Sequence, residues 1–406
     1  MTILNIENVP FIWTWARPRN SPQNLEPPNK IMFDDMTTNS WFSELHNNNE
    51  KYFCILFMHH DAFSAFPIET LMSPEEFQML KNGEMTLLLE NSGHGYNENV
   101  GGIYKDIIIK HDIDPNNVIL RTESADMHDE VRLISQHLYI PEIKLAWIRQ
   151  FECQFSSHSH DYQIPNTLQI KHYEKKFLSY NGLFRPHRGI LIFLLQCYGI
   201  LDKGLISYNV KDNFTRIDTN NHVTWFKDQF KNFPDIVNLL EANREQLTDL
   251  IKIELDDFTE KNTAGHYEVD NHYYEETYFS LVTETSFPFA AWSHIYTKCT
   301  DTGRILSEKI FKPVLNKHPF IVASNYQTLA LFKKLGYQSF HPYINESYDE
   351  ILDDKLRLIE IAKEVKRLSE LSGSELEDFL INCKRICEQN FEILRNKKWH
   401  VSPLNY

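Results

Sequence analysis

Glycine is scarce in this chain, 13 residues of 406. No G-x-x-x-x-G-K-[ST] or G-x-G-x-x-G stretch occurs, so a glycine-rich phosphate cradle is excluded as a sequence motif. A G-x-S-x-G elbow is also missing, which removes the sequence mark of an α/β hydrolase. The six cysteines are scattered at 54, 153, 197, 299, 383 and 387. Only Cys383 and Cys387 are close, and their i,i+4 spacing suits one face of a helix, not a zinc knuckle. Reduced thiols in a cytoplasmic protein are the expectation. Positive charge is in deficit: 41 Lys and Arg against 56 Asp and Glu give a net charge of −15. The surface as a whole should repel polyanions. Long apolar runs are missing too. Gly189–Leu195 and Tyr52–Met58 fall far short of the roughly 20 residues a membrane span needs. Met1–Pro10 has no basic residue and no apolar stretch of signal-peptide kind. No membrane span and a cytoplasmic location are expected.

What is present describes a globular protein: 42% hydrophobic, 24% charged and 13% aromatic residues. The length allows two domains, each with its own core. In the first half, Tyr52–Met58, Met85–Leu89, Val118–Leu120 and Leu145–Ile148 read as short buried strands. Ser73–Leu80 and Asp126–Leu138 between them have helical spacing, with Ser73 and Glu76 as a capping box. Such alternation predicts a largely parallel sheet covered on both faces. Residues 1–50, rich in proline, read as irregular decoration. Asp112-Ile113-Asp114 has D-x-D form but precedes a Pro-Asn-Asn turn, and reads as that turn rather than a metal site.

A polar stretch, Ser156–Thr167, marks the expected boundary between domain 1–165 and domain 166–372, with a last helix in 373–406. Beyond it, Lys176–Tyr180 reads as a strand, followed by a loop with Asn181, Arg185, His187 and Arg188, an apolar helix through Tyr198, and a strand over Gly204–Tyr208. Cations in a turn that opens a helix add their charge to the helix dipole and its free N–H groups, which makes a phosphate site. Arginine suits a diphosphate because its fork engages two oxygens. Asp235–Ile253 has helical spacing. Tyr278–Val282 and Pro319–Ala323 read as strands, with Thr283-Glu284-Thr285 ending the first. Between them lies Ser307-Glu308-Lys309, where a carboxylate beside a lysine could grip sugar hydroxyls and phosphate. Thr328–Leu335 reads as a helix stopped by Gly336, Leu352–Leu371 as another, and Ser374 with Glu377 as the capping box of the last.

These segments carry a resemblance. Lys176–Asn181, Arg185-Pro186-His187-Arg188 and Gly199–Tyr208 resemble the start of the donor domain in a group of phage- and virus-encoded glycosyltransferases of the two-domain GT-B type. Phe279–Thr285, Ser307–Pro313 and His318–Ile321 resemble the same group, and also the Thr/Ser-Glu-Lys stretch of the fucosyltransferase-like enzymes. The likeness continues through Leu335-Gly336-Tyr337 and Glu346-Ser347-Tyr348-Asp349. It spans roughly residues 85–370.

The resemblance implies an α/β fold of two Rossmann-like domains facing across a cleft, with C-terminal helices crossing back onto the first. It implies transfer of a sugar from a nucleoside-diphosphate donor, without a metal or other cofactor. Arg185, Arg188 and Lys309 would lie near the phosphates and Glu308 near the ribose or sugar, with Asn181, His187, Thr283, Glu284, Thr285 and Ser307 around them. The first domain would bind the acceptor and supply a general base. Asp61 paired with His60, after the first strand, is the choice. Glu90 through Glu98 follow the second strand. The acceptor could be a hydroxymethylated base in phage DNA, which would need a basic cleft of Arg17, Arg19, Lys171, Lys175 and Lys176; a glycan or a protein is the other possibility. A scaffold that has lost catalysis and serves as a binding or structural protein is the rival class.

Overall fold

The computed structural model describes residues 3–6, 9–15, 52–57, 74–91, 100–147, 149–160, 168–181, 185–209, 222–250, 252–253, 255, 272–284, 287 and 303–397. The chain divides into two compact units: Met1–Gln154 with Cys299–Ile305 and Lys398–Tyr406, and Phe155–Lys298 with Leu306–Lys397.

The first unit is built on a six-stranded sheet: β1 (Ile3–Ile6), β2 (Val9–Trp15), β3 (Tyr52–Phe57), β4 (Met85–Asn91), β5 (Val118–Thr122) and β6 (Lys144–Trp147), side by side in sequence order. Only β1–β2 is antiparallel; from β2 to β6 every pairing is parallel. The expected irregular start is therefore corrected: β1 and β2 belong to the sheet. Pro10, one of the prolines in this stretch, is the second residue of β2, opposite Asn5, a strand-start position that proline tolerates. Helices α1 (Pro74–Asn82) and α2 (Met127–Leu138), with the π-helical segment Ile103–Ile109, connect successive strands. Their residues Leu80, Ile103, Tyr104 and Val131 share one core with Leu87, Leu89, Val118 and Leu120. Leu88, on the other face of β4, is also buried. Burial on both faces is why these strands read as continuous apolar runs. Each such side chain contributes about 1.5–3 kcal/mol. The Tyr104 hydroxyl accepts the Ile143 amide (2.9 Å) and donates to the Pro141 carbonyl (3.2 Å), so this large side chain is buried with its polar tip satisfied. The Asp112–Asp114 turn is as expected: Asp112 takes φ 55°, and Asp114 accepts the Asn116 amide at 2.9 Å.

Helix α3 (Gln150–His158) carries the chain to the division between the units. The second unit holds a parallel four-stranded sheet in the order β12-β11-β7-β8, with β7 (Phe177–Ser179), β8 (Gly204–Ile206), β11 (Phe279–Thr283) and β12 (Phe320–Ala323). A two-stranded ribbon, β9 (Tyr208–Asn209) with β10 (Lys252–Ile253), stands beside it in sequence. Gly204 is required where it sits, because a Cβ there would lie 2.6 Å from the Phe177 ring. After β7 comes α4 (Pro186–Cys197), then α5 (His222–Gln229), α6 (Pro234–Ala242), α7 (Arg244–Asp249) and α8 (His272–Glu276). The single helix expected over Asp235–Ile253 is thus two helices and a strand. They part at Asn243, whose side-chain amide donates to the Leu239 carbonyl at 2.9 Å and ends the turn.

The remaining helices are α9 (Glu308–Leu315), α10 (Thr328–Lys334), α11 (Asp354–Ser369) and α12 (Gly373–Arg395). Gly336 stops α10 with φ 95°, the left-handed geometry expected of it. The N-cap of α12 is Ser372, not Ser374, which lies inside the helix. Cys383 and Cys387 share its buried face. Within the second unit α12 packs on α9; Phe379 stands edge-on to Tyr278 (5.9 Å), and Asn390 exchanges hydrogen bonds with the Gln338 backbone at 2.6 and 2.9 Å. No helix among the described residues is long and apolar enough to cross a membrane.

Candidate functional site

In the second sheet the chain runs outward from β7 to β8, then returns to the other side of β7 as β11 and continues to β12. The strand order therefore reverses between β7 and β11. In open parallel sheets ligands bind in the crevice outside the carboxyl ends of the strands at such a reversal. Most of the residues singled out in the sequence converge there. Asn181 follows β7, Thr283 and Glu284 end β11, and Arg185 and Ser307 are the N-caps of α4 and α9.

The floor of this region is a buried polar network. The Thr283 hydroxyl donates to Asn181 Oδ1 at 2.7 Å, and the Asn181 amide N–H donates to Ser207 Oγ at 2.9 Å. The Asn181 side chain donates to Ser179 Oγ (3.1 Å), whose own hydroxyl donates to the Leu281 carbonyl (3.0 Å). The ends of β7, β8 and β11 are thereby pinned to one another by side chains as well as by the ladder. Each such bond is worth about 1 kcal/mol net, and each left unmade would cost more.

The basic loop divides into two roles. His187 and Arg188 are buried, 2% and 3% exposed, and turn inward. His187 Nε2 lies 2.9 Å from the Glu284 carbonyl, which can only accept, so Nε2 carries the proton. Its ring stacks on Phe287 (4.9 Å, 13°), and the Arg357 guanidinium lies over the same Phe287 ring. Burial, then the neighbouring Arg188 charge, holds the imidazole well below its ordinary pKa and hence neutral. The Arg188 guanidinium donates to the Thr283 carbonyl (3.1 Å) and, more weakly, the Glu284 carbonyl (3.4 Å). These two residues fasten the start of α4 to the end of β11. Arg185 is only half-buried, and as N-cap it makes no side-chain cap, so the first-turn amides of α4 are not met by it.

At α9 the Glu284 carboxylate accepts the Ser307 amide at 3.0 Å and the Ser307 hydroxyl at 2.5 Å, while Ser307 Oγ accepts the Lys309 amide at 3.2 Å. Burial pushes the Glu284 carboxyl up, against the pull of Lys309 and the Ser307 bonds. Lys309 Nζ pairs with the Glu308 carboxylate. Burial alone would raise Glu308, but the Lys309 charge and hydrogen bond outweigh it and hold its carboxyl at about 2. Lys309 keeps 23% of its side chain exposed. The site thus has a charged rim of Arg185, Lys309 and Glu308 over a neutral, hydrogen-bonded floor. The starts of α4 and α9 lie beside it, an arrangement suited to a diphosphate with adjacent hydroxyls.

The third helix start nearby is filled from within: Asp349 accepts the Leu329 and Ala330 amides at the N-terminus of α10, at 3.0 and 3.1 Å. Sequence reading gave Ser179, Ser207 and Asp349 no role of their own, although all three lie in the stretches that carry the resemblance. Ser207 follows the end of β8 directly, so a search one residue past every strand would have found it.

His60, Asp61 and Thr285 lie outside the described residues, as do Arg17 and Arg19, and so does the Glu90 side chain. The lysines expected in a basic cleft are committed to backbone carbonyls of their own unit: Lys171 to Glu275 (2.8 Å), Lys175 to Asp202 (2.6 Å) and Lys176 to Tyr173. Among the described residues no group of three or more His, Cys, Asp and Glu converges as a metal would need. No protein-family model matches the chain, and no curated protein matches it.

Proposed function

We propose that the second unit binds the diphosphate of a nucleoside-diphosphate sugar and that the protein is a GT-B-type glycosyltransferase. The observation that carries this reading is the convergence of two helix N-termini, with Arg185, Lys309 and Glu308, at the strand reversal between β7 and β11. Arg185 and Lys309 would neutralise the leaving diphosphate, and the exposed part of the Glu308–Lys309 pair would meet the ribose or sugar hydroxyls. Catalysis without a metal, a first unit that binds the acceptor, and Asp61 with His60 as the base belong to the same proposal. The acceptor is a hydroxymethylated base in DNA, a glycan or a protein. The carbonyl bonds of Lys171, Lys175 and Lys176 take support from the DNA reading.

One observation favours a second reading, a non-catalytic scaffold. Two of the three basic residues in the α4 loop, His187 and Arg188, are spent on β11 carbonyls. A thermal-shift screen of nucleoside diphosphates and nucleotide sugars separates the two. A donor at 100 times its Kd should add about 2.7 kcal/mol to the stability of the wild type. The gain should shrink in Arg185→Ala and in Lys309→Ala. If no nucleotide stabilises the wild type, the transferase reading falls and the scaffold takes its place.

A further inference from the structure

The sequence put Glu284 among the groups that touch the donor; its surroundings in the folded chain give it other work. Its backbone N–H donates to the Ala323 carbonyl at the end of β12 (3.0 Å). Its carbonyl receives His187 Nε2–H and, more weakly, the Arg188 guanidinium, both from the first turn of α4. Its carboxylate receives both donors of Ser307, the N-cap of α9. One residue at the end of β11 therefore holds the last residue of β12, the start of α4 and the start of α9. It is 3% exposed, with both carboxylate oxygens engaged.

We infer that Glu284 is a positioning residue, which sets the two helix N-termini at a fixed separation about the strand reversal and does not itself touch the ligand. This rests on the diphosphate reading of the same site. The chemistry explains why a carboxylate stands here. Ser307 presents an amide N–H and a hydroxyl side by side, and a carboxylate offers each an oxygen. An amide of the same size has one acceptor, so Gln must leave one donor poorly met or turn the hydroxyl round. Displacing Ser307 displaces Lys309 with it, since the Lys309 amide is bonded to Ser307 Oγ.

The test uses the full chain and the Glu284→Gln variant, with Ser307→Ala as a milder break of the same joint. Hydrogen exchange reads the amides of Gly189, bonded to the Arg185 carbonyl, and Ile310, bonded to the Ser307 carbonyl, with Ile359 in α11 as the control. UDP, GDP and ADP titrations at one fixed temperature read affinity. Exchange at Ile310 should accelerate about tenfold, Gly189 (whose helix is held through the Glu284 backbone carbonyl, which Gln keeps) and Ile359 should not change, and affinity for the nucleotide the wild type binds should fall about tenfold, as expected for one buried hydrogen bond lost. An affinity loss without any change in exchange would make Glu284 a direct ligand and overturn the inference. So would faster exchange with affinity intact, which would leave a merely structural joint. If the wild type binds none of the three nucleotides, the transferase reading fails by itself. The exchange data then decide alone: acceleration at Ile310 with Ile359 unchanged supports the positioning role, and unchanged exchange at Ile310 overturns it.

Discussion

The two larger sheets are parallel apart from the β1–β2 pair, yet they are wound differently. In the first, β2 to β6 lie in sequence order and the order never reverses; in the second, the chain goes out to β8 and comes back to β11. The contents follow the winding. Among the described residues, the first sheet packs Leu87, Leu89, Val118 and Leu120 on the connecting helices. At its reversal the second sheet buries Asn181, His187, Arg188, Thr283 and Glu284. A sheet wound one way stacks its crossovers without opening a crevice at the strand ends, whereas a reversal sends neighbouring crossovers to opposite faces and leaves a gap between them. The first sheet also buries polar side chains at the end of β5, namely Thr122, Glu123 and Ser124, but the buried bonds that fasten a helix start to a strand end, from His187 and Arg188 to Thr283 and Glu284, lie at the reversal of the second.

That contrast can be broken at several points. The largest effect is expected from Arg188→Ala, which strips the Thr283 and Glu284 carbonyls of a buried donor. A loss of about 3 kcal/mol in urea unfolding of the second unit should result. A loss below about 1 kcal/mol would show the clamp to be dispensable.

Next comes His318, buried at the base of β12, with Ser280 Oγ 2.9 Å from Nδ1 and the Thr277 carbonyl 3.1 Å from Nε2. The carbonyl fixes the proton on Nε2, so the Ser280 hydroxyl donates to Nδ1. Burial lowers the imidazole from 6.5 to about 4. Between these values the unfolded chain binds the extra proton, so stability rises with pH through the window. It is complete above pH 6.5 and declines by up to about 3 kcal/mol as pH falls to 4. His318→Gln should flatten that slope; an unchanged slope would move the titration to another group. In the first unit, Asp114→Ala removes the carboxylate oxygen that accepts the Asn116 backbone and side-chain amides and should cost about 1 kcal/mol by thermal melting. Smallest of all is Arg132→Ala, since the Arg132–Asp129 pair is 47% and 63% exposed. Its effect should stay within about 0.5 kcal/mol.

Sequence reading recovered most of the described strands and helices because their apolar runs are short and bounded by turn residues, as in Met85–Leu89 and Val118–Leu120. It lost β1 and β2, because the prolines of residues 1–50 read as irregular although a strand start accepts Pro10. It also fused α6 and α7, since the break at Asn243 is a side-chain bond with no proline or glycine to announce it. Several of the residues it singled out meet at the β7–β11 reversal, but the burial of two of them was not legible. His187 and Arg188 were read as facing a ligand because charge at a helix start is visible in sequence. Their burial against β11 is not, because the partner carbonyls lie about a hundred positions away in the chain.

That distance has a bearing on the order of assembly. Ser179 and Leu281 are 102 residues apart, as are Asn181 and Thr283, while β7 and β8 are joined by one short helix crossover. Closing a loop costs entropy that grows with its length, by about 0.6 kcal/mol per doubling. Non-local pairings are correspondingly slow to form. The seam between β7 and β11 is thus expected to zip after its neighbours during folding, so the gap that would hold the diphosphate is sealed last, when the rest of the sheet already stands.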